Sequence, residues 1–241
     1  SAPIQALLQQ SEQRALAAAA AVIVTSTCTA QLLTKQFAVP ASRITVALPG
    51  TDRRGHAACN GDPPRLLTVA TLTPRKAHHL LIAALAQLQH LPWQASLVGG
   101  GDFDPRWSAQ LRQQVQALGL QQRITFAGAS IDLHADYMAA DLFVLPSLFE
   151  GYGMAFAEAL SYGLPIIAAR AGAVPDVVPV SAGLLVAPGD VDTLRSALQA
   201  VLTDAGLRRR LQAGAQAAAL NLPTWQQTAL TVREALTRVT V

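Results

Sequence analysis

Residues 141–158 read DLFVLPSLFEGYGMAFAE. The segment 141–145 is short and mostly apolar, which is typical of a strand that is buried on both faces of a parallel sheet. Residues 154–162 contain good helix formers and no helix breaker, so they predict an α-helix. The stretch as a whole therefore predicts a strand, a turn and a helix in succession.

The turn inside this stretch has the residues of a ligand site. Gly151 and Gly153 precede the predicted helix, where unpaired N–H groups face outward and the missing Cβ lets an anionic or hydroxyl-rich ligand approach. Glu150 lies just before this helix end and Glu158 about two turns further, so the two carboxylates cannot share one small ion. Taken alone, each glutamate has an ordinary structural explanation, a carboxylate favoured near a helix start or an exposed helix residue. Together they predict two contacts with one extended ligand.

The composition is that of a globular protein. Of the 241 residues, 51% are hydrophobic and 14% charged, yet the longest uninterrupted apolar run, 15–24, is too short to span a bilayer. No charged segment and cleavage site precede that run, so the sequence predicts no signal peptide. The two cysteines are too few for a disulfide scaffold and lack the spacing of metal ligands. We therefore expect a reducing compartment and a cytoplasmic protein, with or without membrane association.

The charge is mildly basic, with a net charge of +3 and a pI of about 9.2. Such a balance favours an anionic ligand or a membrane surface without establishing either. The densest basic cluster, Arg208-Arg209-Arg210, is typical of a solvated helix face, and no aromatic residues alternate with it. The sequence therefore predicts no nucleic-acid partner.

The order of the predicted elements indicates an α/β fold. Strands alternate with helices from residue 66 onward, which is typical of a doubly wound parallel sheet, Rossmann-like and of about six strands. In such a sheet, ligands bind beyond the carboxyl ends of the strands, where the Glu150 turn lies. The predicted strands are 66–70, 94–98, 123–127, 141–145, 165–169 and 183–186.

The segments before and after this sheet predict separate parts of the chain. Residues 1–48 contain helices at 3–21 and 29–37 with two short strands, too little for a closed core, and resemble the end of a preceding domain. The predicted organisation is thus the end of an N-terminal domain (1–48), a hinge and loop (49–64), a ligand-binding domain (65–222) and a C-terminal helix (223–241).

A second candidate site follows the first strand of the sheet. Thr73 suits the N-cap and Pro74 the first position of a helix predicted over 76–91. Arg75 and Lys76 would then lie at the positive end of the helix dipole, where a cation costs about 0.3–1 kcal/mol. An anion between them would offset that cost, and a diphosphate has the right size. Solvated surface charges are the alternative.

Glycines follow two other predicted strands, and the sequence does not decide whether they bind ligand or only form turns. Gly99 begins a glycine cluster that could hold phosphate or simply form the turn, and the full Gly-x-Gly-x-x-Gly spacing is missing. Gly128 could bring backbone groups to the edge of a nucleobase, although a tight turn explains it equally well.

The histidines predict neither a metal site nor acid–base chemistry. His78 and His79 are adjacent on a helix, hence about 100° apart on its surface, and cannot jointly chelate one ion. His56, His90 and His134 stand alone in the sequence, where a structural or solvent role is the ordinary one. No metal ligands and no Ser/His/Asp set are predicted.

Taken together, these motifs resemble those of family-4 retaining glycosyltransferases of the GT-B fold. PSLFEGYGMAFAEALSYGLPIIAARAGAVPDVV (146–178) is similar to the family signature, and Glu150 and Glu158 match its E-x7-E pair. The resemblance covers nearly the whole chain. Its other parts are ITVALPGTD (44–52, the hinge into the donor domain), LLTVATLTPRKAHHLLIAAL (66–85, the first strand and lysine-bearing helix), FAG (126–128, the base-side turn), GLLVAPGD (183–190, the last strand) and Thr224-Trp225 (the crossing helix).

The resemblance implies roles for individual residues. Lys76, helped by Arg75, would bind the donor diphosphate, Glu158 the ribose hydroxyls, and Glu150 the transferred sugar. The family's Gly-Arg pair reads Ala70-Thr71 here and its Lys-Gly pair reads Lys76-Ala77, so we expect Arg75 to compensate for the missing arginine. The remaining predicted donor contacts are Gly151, Tyr152, Gly153, Met154, Gly128, Thr71 and Gly99.

The activity implied by the resemblance is transfer of a sugar from a nucleotide sugar, with retention of anomeric configuration and without an essential metal or other cofactor. Cationic groups and helix N-termini would stabilise the leaving diphosphate. Glu150 could act as a nucleophile in principle, but its match in the family holds a sugar hydroxyl, and we assign no protein nucleophile.

The resemblance also implies what the chain needs for catalysis. The family binds its acceptor mostly on the N-terminal domain, so we expect the chain alone to bind donor weakly and not to transfer the sugar. The acceptor would be a glycan, a lipid-linked or a small molecule, with peripheral membrane contact through the full-length protein. A GT-B-like phosphorylase that uses free phosphate and a non-catalytic nucleotide-binding module are the alternatives.

Overall fold

The computed structural model describes residues 2–240 and the side chains of residues 4–239. It divides into two compact units. One unit runs to Gly50 and resumes at Pro223, and the other spans Thr51–Leu222. Residues 51–64, predicted as part of a hinge and loop, lie in the larger unit and contain no helix or strand.

The secondary structure alternates between helices and strands along most of the chain. The helices are α1 (Ala2–Ala18), α2 (Thr27–Phe37), α3 (His78–Ala86), α4 (Pro105–Ala117), α5 (His134–Ala139), α6 (Met154–Ser161), α7 (Val174–Val177), α8 (Val191–Thr203), α9 (Ala205–Ala219) and α10 (Trp225–Thr240). The strands are β1 (Val22–Val24), β2 (Ile44–Val46), β3 (Arg65–Val69), β4 (Gln94–Val98), β5 (Ile124–Gly128), β6 (Leu142–Leu145), β7 (Ile166–Ala169) and β8 (Gly183–Val186). In the part of the chain that the structure describes, no helix is both long and apolar enough to cross a lipid bilayer.

The smaller unit has a two-stranded parallel sheet, in which β1 pairs with β2. Ser26 caps α2 by accepting a hydrogen bond of 3.0 Å from the Thr29 N–H. Val24 and Leu33 are buried in a small hydrophobic cluster. The Thr228 hydroxyl of α10 donates a 2.7 Å hydrogen bond to the Leu48 carbonyl, which ties the C-terminal helix to the end of this sheet.

The larger unit confirms the predicted α/β fold, a doubly wound parallel sheet. Its six strands run in the order β5-β4-β3-β6-β7-β8, and every neighbouring pair is parallel. Along β6, Phe143 and Leu145 join one hydrophobic cluster while Leu142 and Val144 join the other. Both faces of the strand are therefore covered, which explains its continuous apolar sequence.

The strand order reverses between β3 and β6. After β3 the chain continues to β4 and β5 on one side, and β6 then starts a second half on the other side. The loops that leave β3 and β6 therefore lie side by side at the carboxyl edge of the sheet, where doubly wound sheets bind their ligands. Both loops carry predicted site residues.

The predicted helix 76–91 is wrong at both ends. Residues Pro74–Lys76 form a 3₁₀ turn, Ala77 has a left-handed conformation with φ of 55°, and α3 starts at His78. Thr73 makes no side-chain cap to this turn. After α3, Leu91 closes a short turn on Leu88 because Pro92 follows it and disfavours further helix. The other predicted ends differ by one turn or less, and the short helix α7 was not predicted because four residues show no periodicity.

Candidate functional site

The turn after β6 carries a buried carboxylate with two cationic partners. The Glu150 side chain is only 8% exposed, and its Oε1 lies 2.7 Å from Lys76 Nζ. Its Oε2 lies 3.4 Å from Arg75 Nη1. The structure thus brings together, in one ion-paired cluster at the point where the strand order reverses, the three residues predicted to act on the diphosphate and the transferred sugar during catalysis.

Two hydrogen bonds to backbone carbonyls join the two loops of this cluster. The Leu148 N–H donates a 2.8 Å hydrogen bond to the Arg75 carbonyl. In return, Arg75 Nη1 donates a 2.6 Å hydrogen bond to the Phe149 carbonyl. The cations are therefore held by the 3₁₀ turn and not by the first turn of a helix, which corrects the helix-dipole explanation for their position. Arg75 and Lys76 follow β3 as predicted, but the helix predicted to begin at Lys76 begins at His78.

Gly172 supports the Glu150 backbone and was missed by sequence reasoning. Its φ is +58°, and a Cβ at this position would lie 2.1 Å from the Glu150 carbonyl oxygen. The Ala173 N–H donates a 2.9 Å hydrogen bond to that same oxygen. Glycine is therefore required here by both conformation and close approach. The residue lies inside the signature stretch 146–178, but nothing in the sequence indicates which backbone it touches.

The predicted sugar-side residues form the entry into α6. Gly153 has φ of +96° and is the N-cap of α6, so Met154 opens the helix. Gly151 and Tyr152 complete the turn between Glu150 and this helix start. The Tyr152 ring belongs to the hydrophobic core, and burial raises the pKa of its hydroxyl. Its side chain is thus structural, so only the backbone of Tyr152 is left for the predicted ligand contact.

Glu158 is the fifth residue of α6, a little more than one turn into the helix, and has its own polar partner. The Tyr137 hydroxyl donates a 2.9 Å hydrogen bond to Glu158 Oε2. The Tyr137 ring stacks on Tyr162 with centroids 4.9 Å apart, and the Tyr162 hydroxyl lies 3.0 Å from His134 Nδ1. Sequence reasoning missed both tyrosines, since apolar helix faces commonly contain aromatic residues. His134, which stands alone in the sequence, has a structural partner here.

Gly99 and Gly128 meet at the carboxyl ends of β4 and β5. The Gly99 N–H donates a 2.7 Å hydrogen bond to the Gly128 carbonyl, and a Cβ on Gly99 would lie 1.9 Å from the Ala70 carbonyl oxygen. Gly128 has φ of +78° and open space around its Cβ position. Close packing explains Gly99, and backbone conformation explains Gly128. Both line a cleft of about 370 Å³ beside α4, and Thr71 is exposed on the neighbouring loop after β3.

His78 is the first residue of α3, two positions after Lys76, and its imidazole is buried. Among the described residues, neither of its ring nitrogens has a hydrogen-bond partner. Burial, and to a smaller extent Lys76 and His79, lower its pKa from 6.5 to about 4. The neutral imidazole is therefore the form that the fold accommodates.

This burial predicts a pH-dependent stability. The unfolded chain binds a proton at His78 below pH 6.5 and the folded chain only near pH 4, so the stability is fully present above pH 6.5 and is lost as the pH falls. Between pH 7.5 and 5 we expect a loss of about 2 kcal/mol from this residue. Urea unfolding of His78→Phe should lack that loss, whereas His90→Phe, at an exposed histidine, should keep it. An unchanged pH dependence in His78→Phe would contradict this assignment.

No group of three His, Cys, Asp or Glu side chains converges on a metal position within residues 2–240. The polar groups on the loop after β3 and around the start of α6 are instead one carboxylate with two cations, a second carboxylate with a phenol, and the backbone N–H groups at the start of α6. Such a set can hold a ligand that has both negative charge and hydroxyl groups.

Comparison with known proteins gives the family. Residues 51–218 match the family model of the glycosyl transferases group 1. The chain is 30% identical to a GDP-mannose-dependent alpha-(1-6)-phosphatidylinositol monomannoside mannosyltransferase of Mycolicibacterium smegmatis, over 69% of this chain and 45% of that protein. It is 28% identical to a D-inositol 3-phosphate glycosyltransferase of Stackebrandtia nassauensis, over 90% of this chain and 54% of that protein. The chain thus spans about half the length of these curated relatives.

Solved structures agree with this family. Sucrose-phosphate synthase from Thermosynechococcus elongatus has a TM-score of 0.84 and 30% identity, over 96% of this chain and 61% of that chain. Anabaena HepE in complex with UDP-glucose has a TM-score of 0.83 and 26% identity, over 91% of this chain and 64% of that chain. The resemblance inferred from the sequence motifs is confirmed: this chain belongs to the group 1 glycosyltransferases and has their GT-B type of fold.

Proposed function

We propose that this chain is the donor-binding part of a retaining glycosyltransferase of the hexosyltransferase class. The observation that carries the proposal is the cluster of Glu150, Lys76 and Arg75 at the point where the strand order reverses. Glu158 lies a little more than one turn into α6, the helix that follows the Glu150 turn. An extended ligand with a diphosphate in its middle fits this order of charges.

In this proposal the diphosphate binds to Lys76 and Arg75. Lys76 is mostly buried beside Glu150, whereas half of the Arg75 side chain is exposed. Arg75 can therefore reach an incoming phosphate while it keeps its backbone contact to Phe149. The exposed half of the Arg75 side chain supports the proposal that Arg75 compensates for the arginine missing from the family's Gly-Arg pair. The two cations stabilise the charge that develops on the leaving diphosphate, and no metal is needed for that task.

Glu150 then holds the transferred sugar. Its carboxylate lies at the entry to α6, where the backbone of Gly151, Gly153 and Met154 also contacts the sugar. The ion pairs with Lys76 and Arg75 reduce the nucleophilicity of this carboxylate, which supports hydroxyl binding over covalent catalysis. Glu158 accepts hydrogen bonds from the ribose, and Gly128 lies beside the base. Thr71 and Gly99 complete the donor contacts.

The relatives suggest candidate donors and acceptors. One relative is described as GDP-mannose-dependent, and HepE is described in complex with UDP-glucose. We propose a UDP or GDP sugar for this chain, with an acceptor that is a glycan, a lipid-linked or a small molecule. The protein would act in the cytoplasm, with peripheral membrane contact through its full length. Since the chain spans about half the length of the curated relatives, we propose that it binds donor by itself and does not transfer the sugar.

Calorimetric titration tests this proposal. The chain is titrated with UDP-glucose, GDP-mannose and ADP-glucose, and separately with inorganic phosphate. We expect saturable binding with a preference for one base of about tenfold, the effect of one base-edge hydrogen bond. Absence of binding to every nucleotide sugar, or sugar transfer by the chain alone, would contradict the proposal. Phosphate binding without any base preference would instead indicate a phosphorylase.

A further inference from the structure

Tyr137 contacts Glu158 through the only polar atom of a buried ring. The residue is 1% exposed, and its hydroxyl donates a 2.9 Å hydrogen bond to Glu158 Oε2. The same hydroxyl lies 3.5 Å from the Ala155 carbonyl, a much longer contact. The phenol proton is therefore directed at the carboxylate.

The Tyr137 ring is fixed on two sides. It stacks on Tyr162 with an interplanar angle of 9° and packs against Phe143 with centroids 6.1 Å apart. A ring held in this way has little rotational freedom, so its hydroxyl is a stationary donor. Burial and the neighbouring Glu158 raise the pKa of Tyr137 well above its usual value, which keeps the phenol protonated.

The Glu158 side chain needs such a partner. It is half-buried, and among the described residues Tyr137 is the one side chain that donates a hydrogen bond to it. A glutamate has three rotatable side-chain bonds, and a ligand that must order them loses affinity. A fixed donor on Oε2 leaves Oε1 in a defined direction before any ligand arrives.

We propose, on the basis of the function proposed above, that Tyr137 is a positioning residue for nucleotide binding: its hydroxyl orients the Glu158 carboxylate toward the ribose hydroxyls of the donor. The residue does not touch the ligand itself. Its contribution to affinity passes through Glu158 and exists only for a ligand that carries ribose hydroxyls.

The dependence on ribose hydroxyls distinguishes a positioning role of Tyr137 from a purely structural one. Tyr137→Phe keeps the ring and its stacking and removes only the hydroxyl. If Tyr137 merely supports the core, the variant weakens every nucleotide alike. If it orients Glu158, the variant weakens ribonucleotides and leaves nucleotides without ribose hydroxyls unchanged. Tyr162→Phe is the matched control, because its hydroxyl contacts His134 and not Glu158.

The test is calorimetric titration of the chain with UDP and GDP, each against its 2′,3′-dideoxy counterpart. For the diphosphate that binds, we expect Tyr137→Phe to weaken the ribonucleotide about tenfold, the effect of one hydrogen bond to a charged group. Binding of the dideoxy nucleotide should stay within twofold of the wild type, and Tyr162→Phe should resemble the wild type with both ligands. In a Glu158→Ala background, Tyr137→Phe should have no further effect.

The possible failures are distinguishable. If the wild type binds neither diphosphate, the proposed UDP or GDP sugar donor is wrong and the role of Tyr137 fails with it. If the wild type binds but Tyr137→Phe weakens both nucleotides equally, or weakens neither, the positioning role alone is overturned. Thermal unfolding of each variant shows whether it is folded. If Tyr137→Phe is not folded, the role is judged from the wild type and Glu158→Ala, and an equal affinity of the two for the ribonucleotide overturns it.

Discussion

Lys76→Ala is expected to lower the affinity for the nucleotide-sugar donor about a hundredfold. The substitution removes the cation that lies 2.7 Å from Glu150 and, in our proposal, binds the diphosphate. A charge-assisted hydrogen bond in a mostly buried site contributes about 1.5–3 kcal/mol, which corresponds to this loss. Calorimetry with the preferred donor measures it directly. The sequence contains two lysines, and Lys35→Ala, at an exposed position of α2, is the matched control.

The same substitution should also destabilise the fold, and a second variant separates the two effects. Without Lys76, the buried Glu150 carboxylate keeps only the longer contact to Arg75, and we expect a loss of about 2 kcal/mol in the free energy of unfolding. The double variant Lys76→Ala/Glu150→Ala removes both partners and should regain most of that stability. Its donor affinity should stay low. Recovery of binding together with stability would show that Lys76 matters only for folding.

Gly172→Ala should abolish donor binding through the backbone alone. The added Cβ would meet the Glu150 carbonyl oxygen at 2.1 Å and the Glu150 nitrogen at 2.9 Å. Backbone atoms cannot rotate away as a flexible side chain does, and the Ala173 N–H holds the same oxygen. The turn must therefore shift and carry Glu150 away from Lys76. We expect at least a hundredfold loss of affinity and a loss of about 3 kcal/mol of stability, from strain at positive φ plus the displaced turn.

Gly119 is a matched control that separates the steric clash with Glu150 from the backbone strain of a positive φ. Gly119 has φ of +68°, close to the +58° of Gly172, and a Cβ there would meet nothing within 4 Å. Gly119→Ala should cost about 1–2 kcal/mol of stability, the price of a left-handed alanine, and leave donor affinity unchanged. Chemical denaturation and donor titration of both variants give the comparison. Equal effects of the two substitutions on binding would contradict the role of Gly172 in holding Glu150.

The fold could be predicted because the sequence pattern that indicates it is local and recurs along the chain. Short apolar segments such as β6 alternate with helix-forming segments, and this spacing is enough to indicate a doubly wound parallel sheet. The placement of Glu158 on the helix after the Glu150 turn also follows from sequence, since 154–162 contain good helix formers and no breaker. The family followed from motifs in their order along the chain.

The local structure around Lys76 could not be predicted. Ala77 adopts a left-handed conformation that alanine rarely takes. An alanine at this position therefore does not indicate that the helix starts only at His78. The helix-dipole interpretation of Arg75 and Lys76 failed for this reason. Their meeting with Glu150 joins residues 74 and 75 positions apart, and only the neighbouring positions of β3 and β6 in the sheet bring them together.

The roles of Tyr137 and Gly172 could not be predicted for a similar reason. Tyr137 contacts Glu158 from a different helix, and Gly172 contacts Glu150 from the loop before α7. Each has a residue type with an ordinary local explanation, an aromatic in a core or a glycine in a turn. Their roles depend on packing between distant segments, which hydrophobic periodicity does not encode.

The central claim is that the donor diphosphate binds at Lys76 and takes over part of its pairing with Glu150. The most direct test is heteronuclear NMR of the chain labelled with ¹³C at the lysine Cε, which gives two signals because the sequence contains two lysines. Lys76→Ala assigns them. We predict that titration with the preferred nucleotide sugar shifts the Lys76 signal in step with the calorimetric binding curve and leaves the Lys35 signal in place. A donor that binds by calorimetry while the Lys76 signal does not move would contradict the claim.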